Sequence, residues 1–402
     1  MGEAITKKLQ LKGDRIIWVI IMLFAMISLA VVYSSTSALA YRGNSSPFMF
    51  MLRQLFYYVL GFGILLLCYR IPLKLYRRFA YVILIVTAIL LAVPIAIGEL
   101  RSFDIFGISI QPSEIAKIAV VLYLARIIEI SKLDTFKEYF IKVLIPLGVI
   151  CILCFLGSVS VTLIICGISA IILFCSGIKK KFLLWTFLIG IALACIVFTI
   201  HSFTGVFSRI DTFTARVERF FTNEEEIMSE AELKEHEDKT YQSEQAKEAI
   251  QLGGVFGRGP GNSIKRDVLP NAYDDYIYSV IVEEYGLIGG TAVIALYLFF
   301  YYRCLKIARA CKKKFSTITV LGLSTLILIQ AMLHIFVNTG IFPVTGQTLP
   351  MISRGGTSLV IMSSAFGIIL SVNRTIVITT EANIRTASND NTAKEENNGT
   401  EK

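Results

Sequence analysis

Residues 16–33 read IIWVIIMLFAMISLAVVY, a run without a single charged side chain. A helix of about this length is what crosses the hydrocarbon core of a bilayer. Similar runs recur along almost the whole chain, near 16–33, 53–69, 79–98, 112–128, 141–156, 159–176, 182–200, 277–302, 317–338 and 355–373. The sequence therefore predicts an all-α, polytopic integral membrane protein with about ten transmembrane helices.

The composition of the 402 residues agrees with this fold class. Hydrophobic residues make up 55% of the chain and charged residues only 17%, whereas charged residues are about 25% of an ordinary soluble domain. The recurring spans favour a single membrane domain over 1–380 rather than two or three soluble domains. Residues 381–402 are polar and rich in Asn, Thr and Glu, which predicts a disordered cytoplasmic tail.

The basic residues between the spans are distributed unevenly, and this distribution predicts the orientation. The connections on one side hold most of them, while the short loops on the other side hold only Arg42, Arg53, Arg101 and Arg354. By the positive-inside rule, both termini are cytoplasmic and the number of spans is even. The net charge of +9 is then a topology signal, and no nucleic-acid partner is expected.

The longest connection, residues 201–276, lies on the predicted exterior side and is too long for a simple connector. Its acidic stretch Asn223–Lys239 predicts a solvated helix rather than a calcium site, because the ligand spacing of a calcium loop is missing. The glycine-rich stretch Gly253–Ser263 follows no strand and precedes no Gly-Lys-Ser/Thr, which excludes a nucleotide-binding loop. Such a backbone can approach a ligand closely, and Asn262 is its candidate substrate contact.

Ionisable residues inside the spans are the main candidates for a functional site, because they are costly in lipid and normally face protein or water. Glu283 and Glu284 lie about two turns into the eighth span, and Asp274 and Asp275 lie at its start. The helix dipole would favour the Asp275 anion there, whereas burial would oppose it. A simpler role for the two aspartates, as caps of the helix, stays open.

The fourth span opens with Gln111-Pro-Ser-Glu114-Ile-Ala-Lys117. Proline near the first helical position predicts a helix start, and the carboxylate and amine three residues apart share one helix face. Lys117 would lie about 8 Å inside the span. Two interpretations stay open, a structural Glu114–Lys117 pair and a cation that receives a phosphate.

The last exterior loop, residues 338–358, is interrupted by glycines and prolines. Such backbone is tolerated at membrane depth only where protein buries it or where it lines a cavity. Arg354 beside two glycines at a helix start favours an anion site, and the alternative is a snorkelling anchor. Ser358 is a further candidate for substrate binding in this loop.

Five motifs follow one another in a recognisable order. They are Gln111-Pro-Ser-Glu-x-x-Lys117, Phe256-Gly-Arg-Gly-x-Gly-Asn-Ser263, Leu269-Pro-x-Ala-x-x-Asp275-Tyr-Ile, Glu283-Glu284-x-Gly286 and Gly346-x-Thr-x-Pro350-x-Ile-Ser-x-Gly-Gly-x-Ser358. In order and spacing they resemble the SEDS family of shape, elongation, division and sporulation proteins. The resemblance extends from the first span to Arg374. The residues of the second and fifth motifs are more similar to the division branch of the family (FtsW) than to its elongation branch (RodA).

The resemblance implies a peptidoglycan glycosyltransferase that polymerises lipid II at the outer face of the bacterial cytoplasmic membrane. It also implies a class B penicillin-binding protein as partner, other division proteins and a location at the septum. The family's essential loop aspartate falls on Asp275 and its fourth-helix lysine on Lys117.

In the mechanism that we expect, Asp275 is the general base of an inverting reaction that releases undecaprenyl diphosphate. Lys117 and Arg354 would stabilise the diphosphate, and further substrate contacts are expected from Glu114, Ser358, Glu283, Glu284 and Asn262. No protein ligands for a metal are predicted, and participation of a divalent cation, Mg²⁺ or Mn²⁺, stays open.

The chain departs from the family pattern in two places. Gly157-Ser-Val-Ser160 stands where a Pro-Asp-Leu-Gly turn is frequent, and Tyr273-Asp274 stands where His-Thr usually precedes the aspartate. The second departure leaves Asp274 as a rival to Asp275.

Two other classes of function stay open. A lipid II flippase or other transporter would also carry charges within its spans, but near the midplane of paired repeats. A scaffold would recruit division proteins without chemistry. The exterior position of the charges and the lack of an internal repeat favour the enzyme.

Overall fold

We describe the fold from a computed structural model of the full chain. The structure describes residues 13–36, 46–97, 102–105, 108–204, 214, 230–267, 269 and 272–400. Predictions for Arg42, for Arg101 and for parts of the 201–276 connection, including the acidic stretch before residue 230, lie outside these residues.

Eleven helices and one hairpin make up the described part of the chain. The helices are α1 (Arg15–Ser35), α2 (Pro47–Arg70), α3 (Leu73–Ile97), α4 (Pro112–Ile130), α5 (Phe136–Gly157, with a π-helical turn at Phe140–Leu144), α6 (Val159–Cys175), α7 (Lys180–Thr204), α8 (Glu230–Gly253), α9 (Ile277–Ala310), α10 (Lys314–Asn338) and α11 (Thr357–Thr400). The antiparallel hairpin of β1 (Phe103–Ile105) and β2 (Ile108–Ile110) directly precedes α4.

Each of the ten predicted spans coincides with one helix, and α8 is the additional helix of the long connection. Eight of the ten are long and apolar enough to cross a membrane. The other two are α6, which is apolar but has 17 residues, and α4, which carries four charged residues but is buried along most of its length. The prediction of an all-α, multi-pass membrane protein is confirmed.

The interior of the bundle is built around α4 and α10. In the most apolar 18-residue stretch of α10, 67% of the residues are buried, whereas no residue is buried in the corresponding stretch of α7. The charges of α4 explain its position, because lipid cannot solvate them and neighbouring helices can. The helices around α4 are α3, α6 and α10.

The fifth and sixth spans are separated by Ser158 alone. Its backbone is extended, with φ −163° and ψ 113°, which ends α5 at Gly157. Its hydroxyl accepts a hydrogen bond of 3.5 Å from the Val161 N–H and thereby caps α6. One serine therefore both stops a helix and starts the next.

The final helix continues to Thr400, so the backbone is helical over most of the segment for which the sequence predicts disorder. Alanine, glutamate and lysine in this segment are strong helix formers. The division into a membrane domain over 1–380 and a tail over 381–402, and the cytoplasmic location of both termini, stay predictions.

Helix α9 is broken at Gly286, where the backbone has φ 70° and ψ −173°. This left-handed conformation favours glycine. A break of this kind frees backbone donors and acceptors that lipid cannot satisfy. The glycine-rich segment supplies the partners through four hydrogen bonds: Arg258 N–H to Glu283 O (2.9 Å), Gly259 N–H to Glu284 O (2.9 Å), Leu287 N–H to Gly254 O (2.9 Å) and Ile288 N–H to Val255 O (3.3 Å).

The two backbones approach so closely that side chains do not fit between them. A Cβ atom added at Gly253 would lie 2.1 Å from the Val282 carbonyl oxygen, and one at Gly257 would lie 2.3 Å from the Glu284 carbonyl oxygen. The glycines of the motif are therefore explained by contact with α9 itself.

We expect Gly253→Ala to destabilise the protein, because the new methyl group overlaps the backbone of α9. Overpacking of this kind costs about 1–3 kcal/mol. The matched control is Gly63→Ala in the middle of α2, where an added Cβ meets nothing within 4 Å and alanine favours the helix. The thermal unfolding midpoint of the purified full chain should fall for the first variant and not for the second; equal midpoints would contradict the described packing.

Candidate functional site

The aspartate segment Ala272–Tyr276 forms the turn that precedes α9, and Asp274 and Asp275 are both half-buried in it. The helix begins at Ile277, and its cap residue is Tyr276, which makes no side-chain capping bond. The interpretation of either aspartate as the cap of this helix is therefore wrong.

Three consecutive carbonyl groups of the aspartate segment are held by the last exterior loop and by the end of α10. The bonds are Arg354 N–H to Tyr273 O (3.1 Å), Ser353 Oγ to Asp274 O (2.8 Å) and Asn338 Nδ2 to Asp275 O (3.0 Å). Because adjacent residues are tied to different partners, the backbone beside both carboxylates is fixed.

Asn338 is fully buried and uses both ends of its amide. Its Oδ1 accepts from the backbone N–H of Ser279 at 3.1 Å and from the Ser279 hydroxyl at 2.9 Å. Its Nδ2 donates to Asp275 O and also to His334 O at 2.9 Å. One side chain thus connects α10, the first turn of α9 and the residue predicted to be catalytic.

Arg354 lies between two aromatic rings. Its guanidinium carbon is 4.7 Å from the centre of the Phe50 ring and 4.8 Å from that of Tyr273. Burial lowers the pKa of this guanidinium, and stacking on rings stabilises a planar cation. The group is therefore held by the protein and is not a simple snorkelling anchor.

The charges of the segment also act on Tyr273. Burial raises the pKa of its phenol, the Arg354 cation opposes the rise, and Asp274 and Asp275 add to it. Both aspartates and Arg354 are therefore within electrostatic range of a single ring. The structure brings the predicted base and the predicted anion-binding cation into one site.

Glu114 and Lys117 form a buried ion pair at the start of α4. Lys117 Nζ donates to Glu114 Oε1 at 2.7 Å and to Gln330 Oε1 of α10 at 2.7 Å. The second carboxylate oxygen of Glu114 accepts from the Ser358 hydroxyl at 3.2 Å. The Lys117 side chain has no exposed surface, so the structural pair is present, and phosphate binding by Lys117 stays a prediction.

A polar stripe on α10 connects this ion pair to the aspartate segment, and it was not predicted from the sequence. The stripe consists of Gln330, His334 and Asn338, all buried. Gln330 Nε2 donates to Thr348 O at 3.2 Å, and His334 Nδ1 lies 2.7 Å from Gln347 O. The spacing of four residues within an apolar helix was a usable signal, because such residues share one face.

Glu283 and Glu284 belong to a different cluster. Glu283 accepts from the Ser263 hydroxyl and from the N–H groups of Ile264 (2.8 Å) and Lys265 (3.3 Å). Both glutamates are buried. In this structure Glu283 holds the glycine-rich segment, and its predicted contact with substrate stays a prediction.

Glu284 connects the same cluster to α1. It accepts from the Ser34 hydroxyl and lies 3.8 Å from the Arg266 guanidinium. Asn262, by contrast, is exposed, and its Nδ2 donates to Arg258 O at 3.2 Å within its own loop. These predicted substrate contacts therefore have internal partners in the structure.

Comparison with known proteins agrees with the motifs. Residues 14–377 match the family model described as cell cycle protein, which covers FtsW, RodA and SpoVE. The chain is a member of the SEDS family. A protein of Enterococcus hirae named "probable peptidoglycan glycosyltransferase FtsW" is 31% identical over 90% of this chain and 93% of its own length. A protein of Bacillus subtilis with the same name is 30% identical over 88% of each chain.

Solved structures of SEDS proteins share the fold. The structure described as "structural coordination of polymerization and crosslinking by a peptidoglycan synthase complex" matches with a TM-score of 0.71 and 20% identity, over 91% of this chain and 98% of that chain. The crystal structure of Thermus thermophilus RodA matches with a TM-score of 0.62 and 21% identity, over the same shares.

Asn338→Ala should loosen the aspartate segment, because it removes four hydrogen bonds and leaves buried backbone groups without a partner. Each unsatisfied group costs about 1–3 kcal/mol. The amide hydrogens of residues 272–280 should exchange faster with deuterium in the purified variant than in the natural protein.

Two further variants make this measurement specific. Asn338→Asp keeps the acceptor for Ser279 but turns a buried carboxylate oxygen toward the Asp275 and His334 carbonyl oxygens, so exchange should be at least as fast as in Asn338→Ala. Thr339→Val is the control, because the Thr339 hydroxyl bonds only within its own helix among the described residues. Unchanged exchange in Asn338→Ala would contradict the clamping of the segment.

Proposed function

We propose that this SEDS protein is a peptidoglycan glycosyltransferase that polymerises lipid II at the outer face of the bacterial cytoplasmic membrane during septal cell-wall synthesis. The names of its relatives support the activity and the division branch. The observation that carries the proposal is the fixation of Asp275 and Arg354 in one site at one end of the bundle. A carboxylate and a held cation at headgroup level are what a lipid-linked diphosphate sugar requires.

In the proposed reaction, Asp275 accepts the proton of the acceptor sugar 4-hydroxyl. The oxygen forms a bond to the anomeric carbon of the donor, and the bond from that carbon to the diphosphate oxygen breaks. Undecaprenyl diphosphate leaves with the bonding electrons, and the configuration at the anomeric carbon inverts. A general base must lie within hydrogen-bonding reach of the proton it removes, and the clamped backbone holds Asp275 in one place.

Arg354 is the cation that we assign to the leaving diphosphate. A charge that is already positioned stabilises developing negative charge without reorganisation. Lys117 is less suited in this conformation, because its ammonium already bonds to Glu114 and Gln330. Its side chain has no exposed surface, so a phosphate reaches it only when the side chains around it move apart.

Participation of Mg²⁺ or Mn²⁺ is a separate proposal. Within the described residues, no group of three His, Cys, Asp or Glu side chains could hold a metal ion. A hard cation takes phosphate oxygens as ligands readily, so the substrate diphosphate would carry the ion into the site.

We further propose a class B penicillin-binding protein as the transpeptidase partner, together with other division proteins. A structural relative studied as a peptidoglycan synthase complex supports an assembly of this kind. An elongation-type role and a flippase are the alternatives. The polymerase is favoured over a transporter because Asp275 and Arg354 lie in the loops that precede α9 and α11, away from the midplane of a span.

Asp275→Asn should abolish polymer formation by the purified full chain supplied with lipid II and its partner transpeptidase, because an amide cannot accept the proton. Loss of a general base lowers the rate by about 10²–10⁴-fold. Asp274→Asn is the matched control in the same turn and should retain most activity. The reverse pattern would assign the base to Asp274, and activity in both variants would contradict the mechanism.

The Glu114–Lys117 pair offers a test that separates stability from substrate binding. Lys117→Met alone leaves a buried carboxylate without its cation and should lower stability by about 3–5 kcal/mol. The double variant Glu114→Gln/Lys117→Met removes both charges and should unfold at a temperature close to that of the natural protein. If this stable double variant polymerises lipid II normally, Lys117 has no direct role with the diphosphate.

A further inference from the structure

A shallow cavity of about 510 Å³, wide open to its surroundings, lies at the end of the bundle opposite the aspartate segment. Its wall is formed by the start of α1, the last turns of α9 and the middle of α11, including Arg15, Arg303, Lys306 and Asn373. On α9, Lys306 is about 30 Å beyond the break at Gly286 by the rise of a helix, which is about the thickness of the hydrocarbon core. The cavity therefore belongs to the opposite membrane surface, which the positive-inside rule predicts to be cytoplasmic.

The cavity carries an excess of positive charge. Of the residues that line it in the described part of the chain, three are basic and Asp14 is the only acid. Both carboxylate oxygens of Asp14 already have partners. Its Oδ1 caps α1 by accepting a hydrogen bond of 2.9 Å from the Ile16 N–H. Its Oδ2 accepts from Arg303 Nε at 2.9 Å and from Nη2 of the same guanidinium. Arg303 is thereby neutralised, and Arg15 and Lys306 supply the excess.

These two cations are placed differently within the cavity. The Arg15 side chain belongs to an exposed residue. The Lys306 ammonium lies 4.8 Å above the ring of Tyr302, which is 49% exposed. A ring beneath an ammonium holds it by cation–π attraction and leaves its other side available to an anion.

Apart from Asn373, most of the remaining wall is apolar. Ile16, Ile307, Ile376 and Val377 line the cavity, and Ile16 is 37% exposed. A small soluble anion would leave this apolar wall in contact with water. A molecule with an anionic head and hydrocarbon chains would satisfy both parts of the cavity, and basic pockets between membrane helices on this side are suited to anionic lipid headgroups.

We propose that this cavity binds the phosphate headgroup of an anionic glycerophospholipid from the adjacent leaflet. Arg15 and Lys306 contact the phosphate, and the acyl chains lie along the apolar wall. The bound lipid would join the start of α1 to the end of α9 and the middle of α11. The proposal concerns the surface opposite the aspartate segment and does not depend on the proposed polymerase activity.

The test is native mass spectrometry of the purified full chain, titrated with phosphatidylglycerol or with phosphatidylcholine. One phosphatidylglycerol should bind at least about tenfold more tightly than phosphatidylcholine, and Arg15→Gln/Lys306→Gln should remove most of this preference. The control Lys312→Gln/Lys313→Gln removes two charges from the same surface outside the cavity and should keep the preference. An equal loss in both double variants would overturn the site, because it would show diffuse attraction.

A third variant changes the affinity in the opposite direction. Asp14→Asn keeps a side chain that caps a helix equally well but removes the negative charge and releases Arg303. Binding of phosphatidylglycerol should then become severalfold tighter, and weaker or unchanged binding would overturn the proposal.

Two soluble probes and a stability control complete the design. Inorganic phosphate and glycerol 3-phosphate should not compete at concentrations comparable to that of the lipid; effective competition would assign the cavity to a soluble anion instead. Thermal unfolding of every variant shows whether it is folded. If the first double variant is not, the single variants Arg15→Gln and Lys306→Gln replace it, and each should weaken binding of phosphatidylglycerol.

Discussion

The break of α9 at Gly286 is the constraint on which the half of the bundle around the aspartate segment depends. A membrane helix cannot leave its backbone groups unsatisfied, and here the glycine-rich segment provides the missing partners by direct contact between two backbones. The same contact brings Ser263 to Glu283 and places Arg266 beside Glu284. Since Glu284 also accepts from Ser34 at the end of α1, the first helix is fixed by the same break.

A second set of interactions extends this order to the site. Asn338 accepts a hydrogen bond from the first turn of α9, which precedes the break at Gly286. Gln330, on the same helix as Asn338, accepts a hydrogen bond from Lys117 of the α4 ion pair. Asn338 and Gln330 both use the oxygen and the nitrogen of their amides in these contacts. Such connected networks are rigid when they are satisfied and costly when one member is removed. The position of Asp275 is thus determined by residues far from it in sequence.

Much of the fold was predictable from the sequence, because the relevant signals are local. Apolar length located the ten spans, Pro112 marked the start of α4, and the spacing of Glu114 and Lys117 predicted their pairing. The clamp on the aspartate segment was not predictable in this way, since it joins residues 63 and 79 positions apart. The internal partners of Glu283 and Glu284 were not predicted either, because Ser263 is 20 positions and Ser34 is 250 positions away in the sequence.

The serine between α5 and α6 has a consequence for the outer surface of the protein. A junction of one residue leaves no loop above this hairpin and prevents the two helices from sliding along each other without losing the cap. The junction thereby sets the position of α5 relative to α6 along their axes. In this arrangement the sulfur atoms of Cys151 on α5 and Cys166 on α6 lie 3.6 Å apart. On the side of the membrane that is predicted to be exterior, this hairpin therefore has no loop that a binding partner could contact.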